Sequence, residues 1–165
     1  MKTLIVVSSK TGNTKLLAHG ICDAIEGAVL VNATDMPPDL SPYDAVLLGF
    51  WCDRARAPAD IEAAAACVSG KRIGCFATIG GDPQTEAARQ WMQKTSEALA
   101  AKGKDNTLLA TFLCRGRIDP ALFEQMTKLQ GGVISPEREQ RRRAAETHPD
   151  RMDVCRAVEV FSRMI

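Results

Sequence analysis

No apolar run in this chain approaches the roughly 20 residues that a membrane-spanning helix requires, which argues against a helical membrane protein. The N-terminal apolar stretch, Leu4 to Val7, is too short for a signal peptide, and hydroxyl residues follow it. Charge of one sign is also missing: 21 Lys and Arg stand against 20 Asp and Glu, a formal net charge of +1. Composition therefore points neither to nucleic acid nor to an acidic docking protein. The six cysteines, Cys22, Cys52, Cys67, Cys75, Cys114 and Cys155, form no C-x-x-C pair and no zinc-ligand spacing. Most sit in apolar surroundings, as expected of buried free thiols in a reducing cytoplasm. The two histidines, His19 and His148, have no Ser/His/Asp arrangement around them, and carboxylates are scattered. No catalytic side chain and no metal site is expected. Neither G-x-x-x-x-G-K-[ST] nor G-x-G-x-x-G occurs, which excludes a Walker A loop and a dinucleotide fingerprint.

What is present is an ordinary globular balance, 45% apolar and 25% charged over 165 residues, enough for one domain over 1–165 with a sizeable core. Thr3–Val7, Ala28–Asn32, Asp44–Phe50, Lys71–Ile79 and Asn106–Cys114 read as strands. Between them lie helical patterns: Lys15–Ile25 with Leu16, Leu17, Ile21, Ala24 and Ile25 on one stripe, and Pro58 to about Val68. A third helix starts at Asp82-Pro83, with Asp82 as its cap, and runs to about Gly103. Shorter helices start at Asp119-Pro120 and Ser135-Pro136, and the last runs from about Asp150 to Met164. Five strands alternating with helices imply a parallel sheet covered on both faces. The segment of about 115–147 is the irregular part. It contains Arg138–Arg143, "REQRRR", either a solvated helix face or an electrostatic docking patch.

In an open α/β sheet, ligands bind beyond the carboxyl ends of the strands, where strand order reverses. The loop after strand one, "SSKTGNTK", carries the hydroxyls of Ser8, Ser9, Thr11 and Thr14 and the amide of Asn13 around Gly12. The helix that follows points its free N–H groups back into the loop, which suits an anion. The second loop, "GFWCDRARAP", spans Gly49 to Pro58 and offers Trp51 as a stacking surface. The third is Thr78-Ile79-Gly80-Gly81-Asp82-Pro83, whose two glycines let backbone approach a ligand closely.

Ser9-Lys10-Thr11-Gly12-Asn13-Thr14 resembles the flavodoxin phosphate loop, [ST]-x-T-G-N-T, and the resemblance extends over the whole chain in length, element order and loop position. It implies a flavodoxin-like three-layer α/β/α sandwich with a five-stranded parallel sheet of order 2-1-3-4-5, and FMN as cofactor. By this resemblance, Ser9, Thr11, Asn13 and Thr14 hold the FMN phosphate through side chains and Lys10 and Gly12 through backbone N–H, with Ser8 beside them. Gly49, Phe50, Trp51, Cys52 and Asp53 form the ring-stacking loop. Thr78, Ile79, Gly80, Gly81 and Asp82 read the edge of the flavin.

Two departures from the family stand out. Many flavodoxins stack a Tyr on the flavin from the third loop. Here the matching position is near Thr85 and the single Tyr is Tyr43, so one flavin face is left open or is covered from 115–147. Flavodoxins also often place a Gly in the second loop whose peptide turns over on reduction. Trp51 to Ala57 contains none, and the loop carries Arg54 and Arg56, so weak stabilisation of the one-electron-reduced flavin is expected.

The leading expectation is a cytoplasmic FMN-binding electron carrier, monomer or weak dimer, between redox partner proteins. A second is an FMN-dependent reductase or accessory subunit acting on a small molecule. That reading uses the open flavin face and the cations Arg54, Arg56 and Arg115; Arg115 and Arg117 either border the flavin edge, bind an anionic substrate, or are ordinary surface arginines. Short flavodoxin-like proteins similar to this one in the "GFW" loop and the "C-x-G-x-I" stretch after strand five are associated with reductive pathways such as bilirubin reduction. A third is a regulatory module that kept the fold without tight FMN.

Overall fold

Strand β1, Thr3–Val7, is buried along its whole length, because its TLIVV run has apolar side chains on both faces of the sheet. The computed structural model describes residues 1–165. β1 pairs in parallel with β2, Val29–Asn32, on one edge and with β3, Ala45–Trp51, on the other. Beyond β3 lie β4, Arg72–Ile79, and β5, Thr107–Arg115, giving the order β2-β1-β3-β4-β5 that the family resemblance implies.

Parallel neighbours require crossovers, and helices supply them. α1, Asn13–Ala24, and the C-terminal α6, Arg151–Ser162, cover one face. Their Leu17, Ile21, Ala157 and Phe161 pack with Ile5, Leu47 and Phe76. α2, Ala59–Ala66, and α3, Glu86–Ala100, cover the other with Ile61, Ala64, Met92 and Leu99 against Leu4, Val46, Leu48 and Ile73. The result is the expected three-layer α/β/α arrangement. The Pro-rich stretch after β2 forms a single 3-10 turn, Ala33–Asp35. No helix is long and apolar enough to cross a membrane.

Two local expectations are corrected. The third helix starts at Glu86, not at Asp82-Pro83. The Asp82 carboxylate is occupied by the Gln84 N–H, 2.8 Å, in a turn that precedes the helix, and Thr85 caps it by accepting the Ala88 N–H at 3.2 Å. The cysteines are all free, but only Cys75 and Cys114 are buried; Cys22 and Cys52 are half-buried and Cys67 and Cys155 exposed. Burial pushes the Cys75 thiol up to about 12, against a weaker opposing bond with Ser96, and raises Cys114 as well.

The irregular segment is a pair of helices, α4, Pro120–Leu129, and α5, Pro136–Ala145, inserted between β5 and α6. Asp119 and Ser135 cap them as the two X-Pro signals suggest, accepting the Ala121 and Arg138 N–H groups. The basic run is mostly internal to this hairpin. Arg142 pairs with Glu139 and Glu146, Arg143 pairs with Glu139, and Arg138 lies 4.8 Å over the Phe123 ring. The hydrogen bond from Arg142, reinforced by that from Arg143, holds Glu139 down at about 2. The network is therefore intact above the usual carboxylate range and is released as the pH falls toward that value.

Glycines in the sheet make room for aromatic rings. A Cβ on Gly49 would sit 2.2 Å from the Phe76 ring, which in turn meets Phe161 edge-on at 5.9 Å. Gly49→Ala is expected to destabilise the protein by about 1–3 kcal/mol through overpacking, read as a lower urea midpoint with an unchanged slope.

Candidate functional site

Strand order reverses at β1, since β2 lies on one side of it and β3 on the other. Chain leaving β1 and β3 therefore diverges to opposite faces, and a crevice opens between the two departing loops. A cleft of about 300 Å³ lies there. The first loop lines it with Lys10, Thr11 and Asn13, the second with Trp51 and Cys52, the third with Thr78, Ile79, Gly80 and Gly81. A fourth side comes from the chain after β5: Arg117, Ile118, Asp119, Leu122 and, from α5, Arg141.

In the first loop Gly12 takes φ 94°, the left-handed region that a glycine adopts without strain, and so turns the chain into α1. Ser9 Oγ accepts the Gly12 N–H at 3.1 Å and the Lys15 N–H at 3.4 Å, which ties the loop into a closed ring. The side chain of Thr11 is exposed. Two residues expected to present side chains to a ligand are committed elsewhere. Thr14 is completely buried, and its Oγ1 shares a 3.0 Å hydrogen bond with Thr78 Oγ1. Asn13 Nδ2 donates to Arg117 O at 2.8 Å, and so holds the chain after β5 against the first loop. Ser8 lies beneath the cleft: its N–H continues the β1–β3 ladder to Gly49 O and its Oγ donates to Asp60 Oδ2 at 2.9 Å.

In the second loop Trp51 stands half-buried at the end of β3, with the Lys10 ammonium 5.5 Å from its ring. Phe50 does not reach the cleft. It points to the opposite face of the strand, fully buried in the α2/α3 core and edge-on to Trp91 at 6.1 Å. Gly49 faces Phe76 rather than the cleft. Cys52 continues the ladder by donating its N–H to Thr78 O at 3.3 Å, and burial, only partly offset by a bond with Ala55, raises its thiol. Asp53 lies outside the cleft lining, in a tight hairpin. Its N–H donates to Arg56 O at 2.8 Å and its carbonyl accepts the Arg56 N–H at 3.0 Å.

The two residues at the tip of that hairpin, Arg54 and Ala55, both have positive φ, 51° and 62°. This is the two-residue turn normally made with Asn-Gly, here formed by residues that each pay about 1 kcal/mol or more for it. Trp91 on α3 compensates. Its indole Nε1–H donates to Ala55 O at 2.9 Å, fixing the turn from below.

In the third loop Gly80 lets the chain pass under Ile118, since a Cβ there would sit 2.9 Å from Ile118 Cγ1. Gly81 has open space around it, and Asp82 lies 3.7 Å from the Arg115 guanidinium at the rim. Arg115 is thereby placed on Asp82, outside the cleft lining, whereas Arg117 lines it.

The sequence reading located the three loops but not Ile118, Leu122, Arg141 or Trp91. The first three depend on how the chain of 115–147 folds back over the crevice; the sequence marked that segment as a cover and Arg138–Arg143 as a charged face, without singling these residues out. Trp91 could be recognised only as an apolar position on a helix. The structure also gathers His148, Asp150 and Asp153 at the start of α6, with ligand atoms within 4.8 Å of one another. Their bonds are structural: Asp150 and Asp153 form a capping box, and His148 Nδ1 lies 2.5 Å from Asp153 Oδ2. The His148 carbonyl accepts the Arg117 N–H at 2.8 Å, so this knot anchors the root of the hairpin.

A family model described as Flavodoxin domain matches residues 4–162. The flavodoxin-like domain-containing protein BilS of Clostridioides difficile (strain CD3) is 29% identical over 170 residues, covering 95% of this chain and 92% of that protein. Among solved structures, oxidised Flavodoxin 2 from Bacillus cereus superposes with a TM-score of 0.61 at 18% identity, over 99% of this chain and 97% of that one. A flavoprotein in complex with FMN from Lactobacillus acidophilus NCFM superposes with a TM-score of 0.54 at 16% identity, over 68% of this chain and 92% of that one.

Trp91→Phe keeps a ring against Phe50 but removes the donor to Ala55. Amide exchange at Asp53 and Arg56 is expected to accelerate roughly three- to tenfold, the worth of one hydrogen bond. Unchanged protection in a hydrogen-exchange measurement would show that the turn holds itself.

Proposed function

This chain belongs to the flavodoxin domain family, and on that premise we propose that it binds FMN in the cleft and carries electrons between redox partner proteins. The observation that carries the reading is the convergence of the three strand-end loops on one crevice at the reversal of strand order. The residues there fit the cofactor at both ends. Thr11, the first-turn N–H groups of α1 and Lys10 offer donors and positive charge to a phosphate. Trp51, Ile118 and Leu122 offer apolar surface to a flat ring, and Gly80 and Gly81 let backbone groups approach its polar edge.

FMN, when bound, supplies the electron chemistry; the protein sets its affinity, exposure and potential. Ile118 and Leu122 line the cleft from the chain after β5 and from α4, which supports a ring covered from 115–147 where the third loop lacks a Tyr. A cytoplasmic location and a monomer or weak dimer belong to the same reading.

Titrating the apoprotein with FMN tests it. Saturable binding with quenched flavin fluorescence is expected, and Thr11→Ala should weaken it roughly tenfold or more, the worth of a hydrogen bond to a charged phosphate, with no loss of stability. Absence of FMN binding would favour a regulatory module that kept only the fold. The second loop bears on the potentials. Its turn holds no glycine, and a reversal of the peptide at Ala55 would break the bond to Trp91. A potentiometric titration is therefore expected to give two closely spaced one-electron steps; well-separated steps would contradict a rigid loop.

A further inference from the structure

Three cations meet in the cleft with no carboxylate paired to them. Lys10 comes from the loop after β1, Arg117 from the chain after β5 and Arg141 from α5. The other arginines of 115–143 are engaged: Arg115 with Asp82, Arg138 over Phe123, Arg142 with Glu139 and Glu146, Arg143 with Glu139. The one carboxylate in the cleft, Asp119, accepts the Ala121 N–H as the cap of α4. Unpaired positive charge in a concave wall attracts an anion.

Arg117 is also held in place before any ligand arrives. The Gly116 N–H donates to Ile79 O at 2.8 Å, the Arg117 N–H donates to His148 O at 2.8 Å, and the Arg117 carbonyl accepts the Asn13 amide at 2.8 Å. Gly116 permits this approach, since a Cβ there would lie 2.8 Å from Asn13 Nδ2 and 3.0 Å from Thr78 Cβ. The backbone from which the Arg117 guanidinium extends is thus locked against the first loop. The same contacts engage neutral groups assigned to phosphate by the family motif: the Asn13 amide, which also lines the cleft, donates to Arg117 O, and the buried Thr14 hydroxyl shares a hydrogen bond with Thr78.

We propose that Arg117 and Arg141, together with Lys10, form a charged subsite for the phosphate of the flavin. This charge makes the cleft select FMN over riboflavin. The inference rests on the reading of the cleft as an FMN site. It assigns to the α4–α5 hairpin a binding role in addition to that of a wall. Guanidinium groups match the geometry of a phosphate and form charge-assisted hydrogen bonds about twice as strong as neutral ones.

The test measures the affinity of the apoprotein for FMN and for riboflavin by flavin fluorescence, in the unmodified chain and in Arg117→Gln/Arg141→Gln. Both residues are exposed, so the variant keeps its core. FMN affinity is expected to fall roughly tenfold for each cation removed, while riboflavin affinity stays within about twofold. Added salt should weaken FMN binding in the unmodified chain more than in the variant. Arg163→Gln removes a cation from the far end of α6, where Arg163 pairs with Glu159, and should leave both affinities unchanged. Equal losses for FMN and riboflavin, or unchanged FMN affinity, would overturn the subsite and leave the FMN reading standing. Failure of the unmodified chain to bind either flavin would overturn both.

Discussion

The arrangement of this protein depends on one strand having two partners. β1 is hydrogen-bonded to β2 on one edge and to β3 on the other, and it is buried on both faces. The connections on its two sides must therefore cross opposite faces of the sheet, α1 on one and α2 on the other. Where they part, the ends of β1, β3 and β4 leave a crevice that no helix fills. The loops around it are cross-linked by groups that a ligand-centred view would leave free. Thr14 bonds Thr78 across the first and third loops, Ser8 bonds Gly49 and Asp60 toward the second, and Asn13 bonds the chain after β5. The cleft is thus built from side chains that hold loops to one another, with Thr11, Trp51 and the paired glycines left facing inward.

The α4–α5 hairpin changes the electrostatic character of that cleft. Its ion pairs and the Phe123 stack neutralise most of the basic run among its own residues, and its root is tied to α6 through His148. What remains unpaired, Arg117 and Arg141, faces the crevice. Near-zero net charge over the chain conceals this local surplus, because charge counted along a sequence does not report which pairs form. Apolar Ile118, from the chain leading into the hairpin, and Leu122, on α4, enter from the same side, so one insertion and its lead-in supply both a hydrophobic side and a cationic one.

Much of the site could be read from local pattern. The apolar runs became strands within a residue or two of their expected ends, since a strand buried on both faces must be continuously apolar. The first loop stood out because so many hydroxyls around one glycine exceed what a helix cap requires. Phe50 and Trp51 show the limit of that reading. Adjacent residues on a strand point to opposite faces, and a one-residue difference in where β3 ends decides which of the two aromatics enters the cleft. Asp82 shows another: Asp-Pro is a strong helix start, yet its carboxylate closed a turn of its own and left Thr85 to cap α3.

The sequence by itself determined the fold class, the strand order expected from the family motif, and the three loops that border the cleft. The fold class and the loops follow from periodicity and from residue types with few conformational alternatives; the strand order is what the resemblance of the first loop to the flavodoxin phosphate loop implies. Only the tertiary structure decided which polar groups are free. Whether Asn13 and Thr14 face a ligand or a neighbouring loop depends on contacts with Arg117 and Thr78, 104 and 64 positions away. Whether a glycine-free turn at Arg54 and Ala55 is rigid depends on Trp91, 36 positions away on another element. Hydrogen bonds and ion pairs are settled by what the fold brings within about 3 Å, and the spacing of residues along the chain carries no record of it.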